Sequence, residues 1–391
     1  MKPFRTLPLL LALALPAAFA ADPCNDTCKS LMHEGQVLQA QGQNGPAYAK
    51  YKAASEAAPQ ASVPLSSTAA LMYTMSIAAR AEQADKLRAG ARDMAAMAAR
   101  LSSTDPLAQE VLRLLDDGPA PPLHAPSPEL AKQVQQAELM FAQRRYPEAL
   151  ALYEQVMRAD PAYSSAWVYA GDCYYVQKDW VHAEALFRRA TEIEAANVQA
   201  WRFLSDALAA QGKPREAETA LEAGIGADPS QRPNWSKLAA LRAGASLPLQ
   251  HLGLRRGFQL TRDANGKYTI GLDEWVLKTP DTPDTAMRLS LAAAETNQRV
   301  AAGGKPADAY EAELAAWRLA LKVADELKAS TGKDPSDPAL LRMQGFARDG
   351  QLEPAILLLL FRQAYRPALE AWLAAHPGGV KTFIDRYGLQ P

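Results

Sequence analysis

Trp167, Trp201 and Trp235 stand 34 residues apart, and Ala149, Ala183 and Ala217 repeat the same interval. A fixed period of this length calls for one supersecondary unit copied and stacked. Each copy leaves an apolar face that only a neighbour can bury. The middle of this chain is therefore expected to be a helical solenoid.

With units begun at Leu130, Ser164 and Val198, small residues fall at the eighth position: Ala137, Gly171 and Ser205. Large groups follow three residues later at Met140, Tyr174 and Leu208. The small residue of the second helix, Ala149, Ala183 or Ala217, precedes Tyr153, Phe187 or Leu221 by four, one turn along the same face. Pro161, Ala195 and Pro229 close the units. Proline cannot continue a helix, so the turn at Ala195 is expected to be looser. A fourth start at Arg232, with Trp235 and Leu238, runs into Gly244 and Pro248 and reads as a capping helix.

These landmarks resemble the tetratricopeptide repeat (TPR) family. The resemblance covers residues 129 to 244 and implies helical hairpins whose first helices line a concave groove, with the ninth position facing a protein or peptide ligand. Here that position reads Glu138, Asp172 and Asp206, with Phe141 and Tyr175 three residues further on. Val134 and Val168 occupy the fifth positions, and Arg202 is a cation in the third unit. The TPR clamps that hold a terminal carboxylate carry lysines and asparagines in the groove, so the resemblance does not extend to them. Carboxylates on neighbouring first helices, about 10 Å apart, repel by only about 0.4 kcal/mol per pair in water. A ligand cation at about 4 Å would gain roughly 1 kcal/mol. The acids thus suit a basic or mixed peptide; they equally suit a solvated face paired with Arg202.

Lys2 and Arg5 precede an apolar stretch from Leu7 to Phe19, ending in the small-residue site Ala18-Phe19-Ala20. This pattern predicts a secretory signal peptide over residues 1–20, and a periplasmic or, alternatively, secreted protein. Loss of Lys2 and Arg5 leaves 40 basic against 43 acidic side chains, a balance with no electrostatic footprint for nucleic acid. No later apolar run approaches the roughly 20 residues that span a bilayer. Cys24 and Cys28 flank a helix start at Asn25-Asp26-Thr27 and are candidates for a local disulfide, whereas Cys173 reads as a buried small residue. No histidine stands at ligand spacing from the cysteines, so neither metal nor cofactor is expected.

Residues 21–116 form a second helical region. From Cys28 the same register recurs in Gly35, Leu38, Ala47, Tyr51, Ala54 and Pro59, predicting one isolated hairpin. Ser66 to Leu101 is helical but out of register. Five prolines between Pro119 and Pro128 make residues 117–128 a stiff linker. In residues 245–391, alternation on both sides of Asp263–Gly266 predicts a small β-hairpin. A helix follows from about Thr285 to Ala302, then a long one striped by Tyr310, Leu314, Trp317, Leu321 and Ala324, then three shorter ones bounded by Gly350, Pro367 and Pro377.

The expected fold is mainly all-α: a TPR-like solenoid followed by an α-rich C-terminal domain carrying that hairpin. The expected function is a non-enzymatic exported scaffold that grips a protein or peptide in the bacterial envelope. Two other readings stand beside it. One is a self-associating subunit, a homo-oligomer whose groove is filled by a neighbouring copy. The other is an enzyme in the C-terminal domain, motivated by Asp273, Glu274, Asp281 and Asp284, or by Ser330 to Lys333, which spells SxxK against a C-cap glycine.

Overall fold

The computed structural model describes residues 24–391 apart from 80, 103–104, 118–120, 263–267 and 302–307. The predicted export signal and the tip of the predicted hairpin lie outside the described residues. The chain divides into two compact units: residues 1–120 with 257–280, and residues 121–256 with 281–391.

The first unit opens with α1 (Asp26–Ala40) and α2 (Asn44–Ala57). The Asn25 side chain accepts the Cys28 N–H at 2.9 Å and starts α1, and Cys24 and Cys28 are joined by a disulfide. Gly35 is required where it stands, because a Cβ there would lie 2.5 Å from the Tyr51 ring. The Ala- and Met-rich stretch forms α3 (Val63–Ala78) and α4 (Ala81–Leu101), and α5 (Pro106–Asp117) packs against both. Ala69, Ala91, Ala95 and Val111 are fully buried among them.

The second unit begins with an extended segment over 121–127. Ser127 caps α6 (Pro128–Ala142), whose first residue is a proline, where the missing amide hydrogen is no loss. Five more helices continue the array: α7 (Tyr146–Ala159), α8 (Ser164–Val176), α9 (Trp180–Ile193), α10 (Val198–Ala210) and α11 (Pro214–Ala227). Each packs on the next, and α12 (Arg232–Gly244) closes the series on α11. Within every hairpin the turn has one left-handed residue, at Arg144, Lys178 and Gly212, and it recurs after α12 at Ser246. The following N–H returns to the carbonyl five residues back, as from Arg145 to Met140, Asp179 to Tyr174 and Lys213 to Leu208. This is the Schellman arrangement, which satisfies carbonyls left open at a helix end.

Ala195 does not loosen its turn. The indole N–H of each repeated tryptophan donates to the closing residue's carbonyl: Trp167 to Pro161 at 3.3 Å, Trp201 to Ala195 at 2.8 Å and Trp235 to Pro229 at 2.9 Å. A backbone carbonyl does this job whatever the side chain, so alanine serves as well as proline.

Past the array, β1 (Gln250–His251) leads back to the first unit, where β2 (Phe258–Arg262) and β3 (Tyr268–Leu272) pair antiparallel with Phe258 opposite Leu272. The hairpin and α13 (Glu274–Leu277) therefore group with the N-terminal helices rather than with the C-terminal domain in which the sequence placed them. The chain re-enters the second unit as α14 (Pro283–Ala301) and α15 (Ala309–Thr331). Four shorter α-helices follow where three were expected: α16 (Pro338–Arg348), α17 (Leu352–Leu359), α18 (Arg366–Ala375) and α19 (Gly379–Tyr387). Finally β4 (Leu389–Gln390) pairs parallel with β1, a contact between segments far apart in sequence. Among the described residues no helix is long and apolar enough to cross a membrane.

Candidate functional site: the first-helix face of the array

The ninth-position acids lie on α6, α8 and α10, and a chain of neighbours ties them across the stack. Glu138 accepts the Tyr153 hydroxyl at 2.9 Å and acts electrostatically on Tyr169 of the next unit. Tyr169 also feels Asp172, and burial, more than either acid, pushes its hydroxyl pKa up. Arg202 lies in the field of both Asp172 and Asp206; burial pulls its pKa down and the two carboxylates push it back up. Asp206 in turn pairs with Lys237 of α12 at 2.5 Å. The face therefore runs Glu138, Tyr169, Asp172, Arg202, Asp206, Lys237, and carries its own cations. The three acids are not a ladder of unpaired carboxylates.

Position six supplies Tyr169, Phe203 and Lys237, which the sequence reading passed over. The signal was available, since these residues are themselves 34 apart and each stands 31 after a ninth-position acid. Phe203 sits beneath the Arg202 guanidinium, 5.2 Å from ring centre to carbon, in cation–π range. Tyr175 is half-buried, edge-on to Trp180 at 4.8 Å, and Phe141 is edge-on to Tyr146 at 5.3 Å. Val168 departs from its expected place. It is 1% exposed and packs with Phe187, Ala200 and Leu204, so it belongs to the core between repeats and not to the surface of the groove. Val134 is half-buried.

Behind this face, the stack is held by polar contacts as well as apolar ones. Glu184 of α9 accepts from Lys213, Arg188 and Gln211, each at 2.8 Å, tying one repeat to the next. Burial alone would raise its pKa, but those donors outweigh it and hold the carboxyl at about 2, below the ordinary 4.5. A depressed carboxyl contributes stability that is present above the unfolded value and lost as pH falls through the folded one. The array is thus expected to lose part of its acid resistance between about pH 4.5 and 2. Glu184→Gln should flatten that segment of a Tm-against-pH curve, whereas an unchanged slope would remove Glu184 as its source. Cys173 is a buried free thiol whose pKa burial, then Asp172 and Glu138, push up to about 12, consistent with a packing role.

The C-terminal carboxylates do other work. Asp284 is buried and accepts the Ser336 N–H, the Ser336 hydroxyl and the Asp337 N–H, fixing the approach to α16. Asp273 accepts the Trp275 indole N–H at 3.0 Å, and the exposed Glu274 pairs with Lys278 at 3.1 Å. Ser330 donates to the carbonyls of Glu326 and Leu327, and Gly332 ends α15 in the left-handed conformation at φ +70°. A pocket of about 380 Å³ opens beside Arg232, His251, Leu252, Leu359 and Pro391, and none of these acids lines it.

The architecture defines a solenoid of helical hairpins with a polar, partly aromatic first-helix face. Two tetratricopeptide repeat models match the chain, over residues 134–198 and 177–241. Residues 134–241 therefore carry tetratricopeptide repeats. Among solved structures, the first TPR of Spaghetti (RPAP3) bound to the HSP90 peptide SRMEEVD is similar at 20% identity, covering 31% of this chain and 99% of that one, TM-score 0.30. The Sgt2 TPR domain from Aspergillus fumigatus is similar at 22% identity, covering 32% and 85%, TM-score 0.30. The TPR2AB domain of yeast Sti1 in complex with pHSP90 shares 16% identity over 56% and 98%, TM-score 0.28. No curated protein matches the chain.

Proposed function

We propose that the repeat array is a non-enzymatic scaffold which binds a protein or peptide along its first-helix face, in a protein exported to the bacterial cell envelope. The observation that carries this reading is the continuous row from Glu138 to Lys237. It offers carboxylates, a guanidinium, an ammonium and ring edges in sequence across four stacked elements. Three acids against two cations leave the row one negative charge in excess, which suits a peptide of mixed or mildly basic character. Phe141 and Tyr175 add apolar contact at its side. The export reading is supported by Lys2 and Arg5 ahead of the Leu7–Phe19 stretch, and by the Cys24–Cys28 disulfide, a bond that persists in oxidising compartments.

The test is crosslinking in intact cells, affinity purification and mass spectrometry, comparing wild type with the combined change Glu138→Ala, Asp172→Ala and Asp206→Ala. Each lost carboxylate removes on the order of 1 kcal/mol of attraction for a ligand cation. Asp206 spends part of its field on Lys237, so the expected weakening is about tenfold or more. A discrete envelope protein recovered from wild type and lost from the variant is the expected result. Equal recovery from both would reduce the row to a solvated face.

A further inference from the structure

The last repeat carries a charge cluster, with Glu222 and Arg242 buried at its centre, that binding at the first-helix face does not use. Glu218 and Glu222 project from α11, Arg242 from α12, and Lys381 and Asp385 from α19. The three carboxylates lie within 4.8 Å of one another, and the cation at their centre is the Arg242 guanidinium. Arg242 pairs with Glu218 and with Asp385, and reaches Glu222 at 3.4 Å. Lys381 pairs with Asp385 at 2.7 Å and stands 3.9 Å from Glu222. Around the charges the seam is apolar: Gly226 leaves room for Val380 and Leu373, each under 4 Å from where its Cβ would be, and Phe383 and Ile384 are buried.

Two cations serve three carboxylates, so the cluster holds one negative charge too many for a low-dielectric site. Asp385 is 46% exposed and Glu218 is 24% exposed, so water screens both. Glu222 is only 5% exposed and has the longest ion-pair distances of the three. The surplus therefore falls on Glu222. We propose that Glu222 is a proton-operated latch: protonated, it lets α19 seat fully on the last repeat, and ionised, it loosens that seat.

Burial, with Glu218 and Asp385 adding to it, raises the Glu222 pKa to about 7 from 4.5, against the opposing pull of Lys381 and Arg242. For an acid whose folded value is raised, the docked state is favoured below the free value. That advantage is lost as pH rises through the folded value, here from about 4.5 to 7. Asp385 moves the other way: burial would raise its pKa, but Lys381 and Arg242 hold it below 3.8, so its contribution persists at neutral pH and fails only in stronger acid. Between pH 5 and 8 the sign is set by Glu222, and α19 is held more firmly on the acid side.

Hydrogen exchange on the full chain, corrected for the intrinsic rate at each pH, reads this directly in residues 379–387 and 214–227. One pKa unit corresponds to a factor of ten in the equilibrium between protonation states. Wild type is expected to show roughly tenfold stronger protection of these segments at pH 5.5 than at pH 8. Glu222→Gln, which removes the charge and keeps the shape, should show the same protection at both. Equal pH dependence in wild type and variant, or none in wild type, overturns the proposal. If the variant does not fold, carbon-13 carboxyl titration of wild-type glutamates decides: one midpoint near 7 supports the latch, and all midpoints below about 5.5 overturn it.

Discussion

Phe187→Ala is expected to destabilise the repeat array by about 3–5 kcal/mol, the usual cost of emptying a fully buried aromatic site. The ring has no exposed surface and lies where three helices meet. On α8 it sits so close to Gly171 that a Cβ there would be 2.5 Å away, and Tyr175 is 6.4 Å off between ring centres. On α10 it meets Phe203 at 5.6 Å. Deleting it removes contacts within one hairpin and between two, and a stacked array has no other layer to close the gap. Phe187→Leu keeps most of the volume and should cost less than half as much. Urea unfolding of the full chain, with hydrogen exchange assigning the transition to residues 164–227, measures the loss. A cost below about 1 kcal/mol would contradict the packing described.

The second large effect falls on Arg288. Its guanidinium is 2% exposed, pairs with Asp337, and donates to the carbonyls of Asp284 and Arg255. It links α14 to the start of α16 and to the strand-side segment at Arg255. Arg288→Met keeps the stem volume but leaves a carboxylate and two carbonyls without their donor, and breaking a buried pair typically costs 3–5 kcal/mol. Asp337 is about a quarter exposed and still accepts the Ala339 N–H, so the expected cost is nearer to about 3 kcal/mol. Thermal unfolding should show Tm lowered by several degrees, with exchange protection lost first in residues 283–301 and 338–348. An unchanged Tm would mean that the pair is compensated elsewhere.

Much of the array was legible in the sequence because its signals are periodic and its contacts local. Ala137, Gly171, Ala149, Ala183 and Ala217 fall where close helix contact leaves no room for a larger group, and all five are buried. The 3.6-residue stripe of Tyr310, Leu314, Trp317, Leu321 and Ala324 likewise became the buried face of α15. Three features were not legible, each for a different reason. Lys237 pairs with Asp206 of the preceding unit, and although the 34-residue period marks its position, no period says that its ammonium turns towards that carboxylate. Val168 was assigned to the groove by family position, but its neighbours Phe187 and Leu204 cover it. The pairing of β1 with β4 joins residues about 140 apart through two residues each, too short for any alternation to register.

The candidate site fared differently from the fold. The acids at 138, 172 and 206 do share one face with Arg202, but charge counting along the sequence overstated their freedom. Arg202 was anticipated as a partner, but Tyr153 and Lys237 were not. Turn chemistry was misjudged at Ala195 for a similar reason: the proline ring was taken as the functional part, when the carbonyl that receives the tryptophan N–H is common to every residue.

The most direct test of the central claim is site-specific photo-crosslinking in intact cells. A photoreactive residue would be placed in turn at Phe141, Tyr175 and Arg202 on the first helices, and at Arg188 and Glu192 on the second helix of the middle repeat. The account predicts one discrete adduct of common mass from the first-helix positions and none from the second-helix pair. Adducts only from Arg188 and Glu192, or none from any first-helix position while the second-helix positions react, would contradict it.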